Sequence, residues 1–350
     1  DFDIYVMDPE QPASSKLIYQ ANGLWQPLDW SPDDRRLLIG NFISINESYV
    51  HALDLATGKT EPLLPPDKEK TAYSAALWSK DGKGVFLVSD RESEFSRLWY
   101  LDIATKKLTP LTTQIPWDIE AIELSRDGNV LAFTSNEDGI SKLHLMNTAA
   151  RKELPQAKLP MGQVFLGRFH DTLKEVAFGL VSAKSPLDVY SYNWETGRLT
   201  RWTYSEVGGL NPNSFPETTL IHYPTFDQAG GKPRTIPAFV TKPGPRFKPP
   251  YPVLINIHGG PEGQARPLLS ASYITNEMGV AMVEPNVRGS SGYGKTYLKL
   301  DNAMLREDSV KDIGALLDWI ARQPDLDAKR VAVTGGSYGG YMSLATMTHY

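Results

Sequence analysis

The chain has 350 residues, 41% of them hydrophobic and 22% charged, and a net charge of −5; that length accommodates two domains, or one large and one partial. The acidic balance gives no reason to expect nucleic acid or an anionic membrane as partner, and no run of 18 apolar residues is present to span a bilayer. The sequence has no cysteine, which excludes disulfides, thiolate metal sites and a cysteine nucleophile.

The first residue is Asp1, directly ahead of a strand-like run at 4–7, with neither an initiator methionine nor a signal peptide before it. We therefore expect both ends to have been trimmed. The expected compartment is the cytoplasm, with a periplasmic or secreted protein left open because a leader would then be missing.

Residues 1–205 carry an internal repeat. Trp30-Ser-Pro-Asp-Asp34, Trp78-Ser-Lys-Asp-Gly82, Leu124-Ser-Arg-Asp-Gly128 and Phe169-His-Asp-Thr172 fall at intervals of 48, 46 and 45 residues. A second marker keeps the same period: Met7-Asp8, Leu53-Asp54, Leu101-Asp102, Met146-Asn147 and Tyr192-Asn193, spaced by 46, 48, 45 and 46. Short apolar runs and Asp-Gly or Thr-Gly turns at such a period predict a β-propeller, one four-stranded blade per repeat. Four to five blades are expected, and the large apolar residue of each marker is assigned to blade-to-blade packing.

The repeat ends near Glu206, where Gly208, Gly209 and Pro212 mark a junction. Residues 206–350 alternate between predicted strands (219–223, 236–242, 253–258, 281–284, 331–334) and helical segments. One amphipathic helix places Val310, Ile313, Leu317 and Ile320 on a single face and ends near Gln323-Pro324. This pattern predicts an α/β domain on a mostly parallel sheet, of the α/β-hydrolase class and present in its N-terminal part only.

Chemistry concentrates in that half. Gly335-Gly-Ser-Tyr-Gly339 follows an apolar strand and precedes a helix-compatible run, the context of a nucleophile elbow with Ser337 Oγ exposed. His258-Gly-Gly-Pro261 ends an earlier strand, and its glycines would let main-chain N–H groups approach an oxyanion. The expected oxyanion donors are the N–H groups of Gly260 and Tyr338. Neither His258, on the loop of those glycines, nor His349, about 18 Å along a helix from Ser337, suits the role of general base. His51, His144, His170 and His222 are read as surface or core. In this motif class the acid and histidine follow the serine, so both are expected beyond residue 350.

Gly289-Ser-Ser-Gly-Tyr-Gly-Lys-Thr296 meets the P-loop pattern. However, residues 285–288 separate it from its strand, and no later strand ends in a magnesium-binding aspartate. It is read as a Gly-rich loop beside the active site. Asn46-Glu-Ser48 is a glycosylation sequon, relevant only to a eukaryotic secreted protein.

His258-Gly-Gly-Pro261, Asn286-Val-Arg-Gly-Ser-Ser-Gly-Tyr-Gly294 and Gly335-Gly-Ser-Tyr-Gly-Gly-Tyr341 together resemble the prolyl oligopeptidase family of serine peptidases. In that family a β-propeller precedes an α/β-hydrolase domain. The His-Gly-Gly-Pro form is similar to the acylaminoacyl-peptidase and dipeptidyl-peptidase-like branches. The resemblance implies Ser337 as nucleophile, Tyr338 and Gly260 as oxyanion donors, no cofactor or metal, and short peptides admitted by the propeller as substrates. No Glu-Glu pair for a free peptide N-terminus is evident in the propeller half, which argues against aminodipeptidase specificity. Two alternatives remain: a carboxylesterase of the same fold, and a propeller binding module with an inactive hydrolase half. Cleavage specificity and oligomeric state are not legible.

Overall fold

The computed structural model describes residues 2–66, 68–269 and 272–350. Four four-stranded antiparallel sheets follow one another from Leu24–Trp30 to Leu199–Arg201, preceded by a two-stranded sheet of Ile4–Asp8 and Gln11–Tyr19. Strand order within each sheet is sequential, as propeller blades require.

The repeat markers are turns locked by their own side chains. Ser31, Ser79 and Ser125 donate to Asp33, Asp81 and Asp127 at 2.6, 2.6 and 2.7 Å. The same serine oxygens accept the N–H of Arg36, Gly84 and Val130, where the next strand begins. In the fourth blade His170 substitutes, its Nδ1 accepting the N–H of Thr172 and Leu173. The second marker is an Asx turn: Asp54, Asp102, Asn147 and Asn193 accept the N–H of Thr57, Thr105, Ala150 and Thr196. Each blade thus carries two side-chain-capped turns, and this explains the polar part of the period.

The apolar part is packing between blades. Trp78, 1% exposed, clusters with Leu38 and Val50 of the preceding blade, and Leu124 with Phe86 and Val88. Phe169 packs against the cluster containing Leu143 and Leu145. Trp30 departs from the pattern at 43% exposed. The sheet ahead of it has two strands and sets Ile4 into a cluster with Trp25 instead.

The sheet of the C-terminal half has five strands, ordered Thr218–Ala229, Lys232–Thr241, Ala281–Pro285, Tyr251–Ile257 and Leu326–Gly335. Its parallel part comprises only the last three. The first two form a hairpin turned by Gly230 and Gly231, both at positive φ, and Lys232–Thr241 runs antiparallel to Ala281–Pro285. The expectation of a mostly parallel sheet therefore fails for its first two strands, since a two-glycine turn joins antiparallel neighbours without a crossover helix. The helix Arg306–Ala321 covers the sheet with Val310, Ile313, Leu316 and Ile320, while Leu317 is only half-buried. Glu307 and Asp308 occupy its first turn, where carboxylates suit the helix dipole. No helix among the described residues is long and apolar enough to cross a membrane.

The blades and the sheet are joined by polar contacts. Glu94 accepts the N–H and hydroxyl of Thr296 at 2.7 and 2.8 Å, and the Glu94 carbonyl accepts the Lys295 N–H. Lys295 Nζ donates to the Asp90 carbonyl. Arg266 pairs with Glu120, Asn136 donates to Gln264 at 2.8 Å, and His222 contacts Asp138 at 2.8 Å.

Candidate active site

Ser337 stands between the Leu326–Gly335 strand and the Tyr338–His349 helix with φ 55° and ψ −120°. A non-glycine residue in that region is strained, and the surroundings must hold it there. Two glycines make this possible by close approach. A Cβ on Gly335 would lie 2.5 Å from the Ile257 carbonyl oxygen, and one on Gly339 would lie 2.0 Å from the same atom. The helix therefore starts hard against the Tyr251–Ile257 strand and pushes Ser337 outward, where it is exposed.

The Ser337 carbonyl accepts the N–H groups of Gly340 and Tyr341. Among the described residues nothing accepts the N–H of Tyr338, the first of a 12-residue helix. That group is an unsatisfied helix N-terminal donor carrying the positive end of the dipole.

The His258 loop reaches the same point. The Gly259 Cα stands beside Ser337 so closely that a Cβ there would be 3.4 Å from the serine Cβ and 3.9 Å from Oγ. Gly260 follows at φ 133°, and a Cβ on it would lie 2.3 Å from the Glu262 nitrogen. His258 is turned away from the serine. Its Nδ1 is 2.8 Å from the Gly259 carbonyl and its Nε2 is 2.8 Å from Ser290 Oγ. The carbonyl can only accept, so Nδ1 carries the proton. Burial, partly opposed by the Gly259 carbonyl contact, pushes the His258 pKa down.

The other histidines are also engaged away from Ser337. His349 Nδ1 lies 2.8 Å from the Ala345 carbonyl, and His144 lies between Ser135 and Glu153. His170 and His222 have the roles given above, and His51 stacks edge-on against Trp25. The P-loop pattern resolves differently from a phosphate cradle. Lys295 and Thr296 bind Glu94 and Asp90 of a blade, and a Cβ on Gly294 would lie 2.7 Å from the Glu94 carboxylate.

Behind the elbow lies a cluster that sequence reasoning missed. Tyr338 Oη is 2.6 Å from Ser309 Oγ and donates to Asp301 Oδ2 at 3.2 Å. The Arg306 guanidinium lies 5.1 Å from the Tyr338 ring centroid. Asp301 is fully buried, and burial raises its pKa against the opposing charge of Arg306. No motif marks Asp301 or Ser309, since each meets Tyr338 only through the fold. Ser290 lay inside the Gly-rich loop but without a sign of its partner.

Comparison with known proteins agrees with this layout. The prolyl oligopeptidase N-terminal β-propeller domain matches residues 4–205, and the prolyl oligopeptidase family domain matches residues 269–350. The chain is 21% identical to dipeptidyl-peptidase 5 of Porphyromonas gingivalis, over 90% of this chain and 47% of that protein. It is 23% identical to the prolyl endopeptidase of Elizabethkingia meningoseptica, over 89% of this chain and 45% of that protein. A crystal structure of puromycin hydrolase superposes with a TM-score of 0.80 at 19% identity, covering 96% of this chain and 52% of that one. The chain spans about half the length of the curated relatives it matches. Propeller blades followed by a hydrolase elbow, with matches to both domains that together cover most of its length, place this chain in the prolyl oligopeptidase family.

Proposed function

We propose that the protein is a serine peptidase of short peptides, with Ser337 as nucleophile and an acyl-enzyme intermediate. The observation that carries this reading is the strained, exposed Ser337 beside a free helix N-terminal N–H and the Gly259 main chain. Ser337 Oγ attacks the scissile carbonyl and forms the acyl ester as the amine leaves. Water then attacks the ester and releases the acid. The N–H groups of Tyr338 and Gly260 receive the developing oxyanion. Each such donor typically contributes about 2.7–4 kcal/mol to the transition state.

The proton acceptor is assigned to residues outside 1–350, because none of the six histidines is hydrogen-bonded to Ser337. The propeller restricts access to peptides of a few residues. The peptidase relatives support peptides over simple esters as substrates, and we keep a domain boundary at 205/206, supported by a propeller match over residues 4–205.

The test is intact-mass detection of a fluorophosphonate adduct on the full-length protein, with Ser337→Ala as control, alongside hydrolysis of short peptides and of p-nitrophenyl esters. Adduct formation that depends on Ser337, with peptide cleavage, is expected. Cleavage of esters alone would replace the peptidase by an esterase, and no adduct would leave a binding module.

A further inference from the structure

We propose that Asp301 is a positioning residue for the reaction of Ser337: its carboxyl anchors the Tyr338 phenol and, through it, the Tyr338 main-chain N–H. The inference rests on the reading of Ser337 and Tyr338 given above, and deepens it.

Tyr338 is the first helical residue after a strained serine, so its main chain has one flanking turn to hold it and one side chain to fix its rotation. That side chain is held on several sides. Ser309 and Asp301 bond the phenol oxygen, Arg306 lies over the ring, and Tyr341 packs at 5.6 Å. Ser309 also donates to the Arg306 carbonyl at 2.7 Å. Ser309 has one proton for two neighbours, the Arg306 carbonyl and the Tyr338 oxygen, so when the phenol donates to Asp301 the serine can turn to the phenol oxygen, and Asp301 is the group that decides which way the phenol proton points.

Asp301 is an expensive residue to bury for packing alone. It is 0% exposed, its Oδ1 is buried with no hydrogen-bond partner among the described residues, and Arg306 Nε is 3.9 Å from Oδ2. A carboxyl in such a place costs stability relative to an apolar side chain of similar size. The loop above it is shaped to its oxygens: Gly289 sits at φ 91°, and a Cβ there would lie 2.2 Å from Asp301 Cγ. The next residue, Ser290, bonds His258 Nε2. A single Gly289-Ser290 step therefore backs both walls of the site, the Tyr338 side through Asp301 and the Gly259 side through His258. Asp301 touches no reacting atom and acts only through Tyr338.

The experiment compares Asp301→Asn, Tyr338→Phe, Ser309→Ala and the Asp301→Asn/Tyr338→Phe double variant in the full-length protein. Steady-state hydrolysis of a short N-acyl-peptidyl p-nitroanilide cleaved by the wild type is measured, with Ser337→Ala as reference. Asp301→Asn is expected to lower kcat about tenfold with KM within about twofold, less than the loss of a whole oxyanion donor. Tyr338→Phe should do the same, and the double variant should be no worse than the poorer single, since both break one linkage. A merely structural aspartate would lower the melting temperature and leave kcat per folded enzyme unchanged. That outcome, wild-type kcat in Tyr338→Phe, or losses that multiply in the double variant would each overturn the proposal. If Asp301→Asn does not fold, Tyr338→Phe and Ser309→Ala decide the question by the same kcat reading. Residual hydrolysis in Ser337→Ala would instead remove the assignment of Ser337, and the role of Asp301 with it.

Discussion

Two sets of carboxylates, one in each half, are used in opposite ways. In the propeller, Asp33, Asp81 and Asp127 lie near the surface, each accepting a serine hydroxyl and a main-chain N–H two residues away. Those bonds, the serine hydroxyl first, hold the three carboxyls below the usual range. In the hydrolase half, Asp301 and Asp312 are fully buried, and desolvation raises both, even though Asp312 meets Arg288 at 2.8 Å. The first kind terminates a strand and can be repeated every 45–48 residues at little cost. The second kind joins distant elements and occurs where the fold must hold a site. A local carboxylate makes structure periodic, whereas a buried one makes a single place in it unique.

Removing the proposed nucleophile should have the largest effect and should leave the propeller untouched. Ser337→Ala is expected to lower peptide hydrolysis by about 10⁴-fold or more, with an unchanged far-ultraviolet spectrum. Retained activity would break the contrast, because the hydrolase half would then hold no unique site.

Close packing at the elbow is the next lever. Gly339→Ala places a Cβ 2.0 Å from the Ile257 carbonyl oxygen and should cost about 1–3 kcal/mol by overpacking, together with most activity. Gly340→Ala, one residue on, meets nothing nearer than 3.5 Å. As a helix substitution it should be neutral or stabilising by about 0.5–1 kcal/mol. Equal effects in thermal denaturation would contradict the geometry.

Asp118 tests the boundary between the two behaviours. It lies on a blade strand yet faces the hydrolase loop, and burial, aided by Glu120 and Asp90 and opposed by the Ser96 N–H, pushes its pKa up to about 6. The native state therefore binds more protons than the unfolded one between about 4 and 6, and stability falls as pH rises through that window. Asp118→Asn should raise stability at pH 7 by at most about 3 kcal/mol for a two-unit shift, read as a higher melting temperature, and the gain should vanish below about pH 4. A gain independent of pH would show that ionisation is not its source.

The smallest change is expected in a repeat turn. Asp81→Ala removes acceptors from Ser79 Oγ and the Lys83 N–H and should cost about 0.5–1.5 kcal/mol without altering kcat. The depressed pKa of Asp81 gives the sign of its pH dependence. Its contribution is present above the unfolded value and is lost as pH falls through the folded one, so the variant and wild type should converge in acid.

Much of this is legible in the sequence. Trp78-Ser-Lys-Asp-Gly82 announces its turn because every bond in the turn spans five residues or fewer. Ser337 was legible for the same reason, its strain being built by neighbours at 335 and 339. The hairpin at Gly230-Gly231 is also written locally, in a two-glycine turn, although the alternation of strands and helices after it points to a mostly parallel sheet. Asp301 could not be found this way, being 37 residues from Tyr338 and 12 from Gly289, with no spacing rule linking them.

The sequence by itself determined the propeller repeat, the α/β half and the serine at its elbow, because periodic turns, apolar runs and a strand-to-helix bend are set by residues in contact along the chain. Only the tertiary structure decided that Gly259 stands beside Ser337, that Lys295 and Thr296 serve the domain interface, and that Asp301 lies behind Tyr338. Those contacts depend on how the sheet and the blades close over one another, and burial gives each of them an energy that no local pattern records.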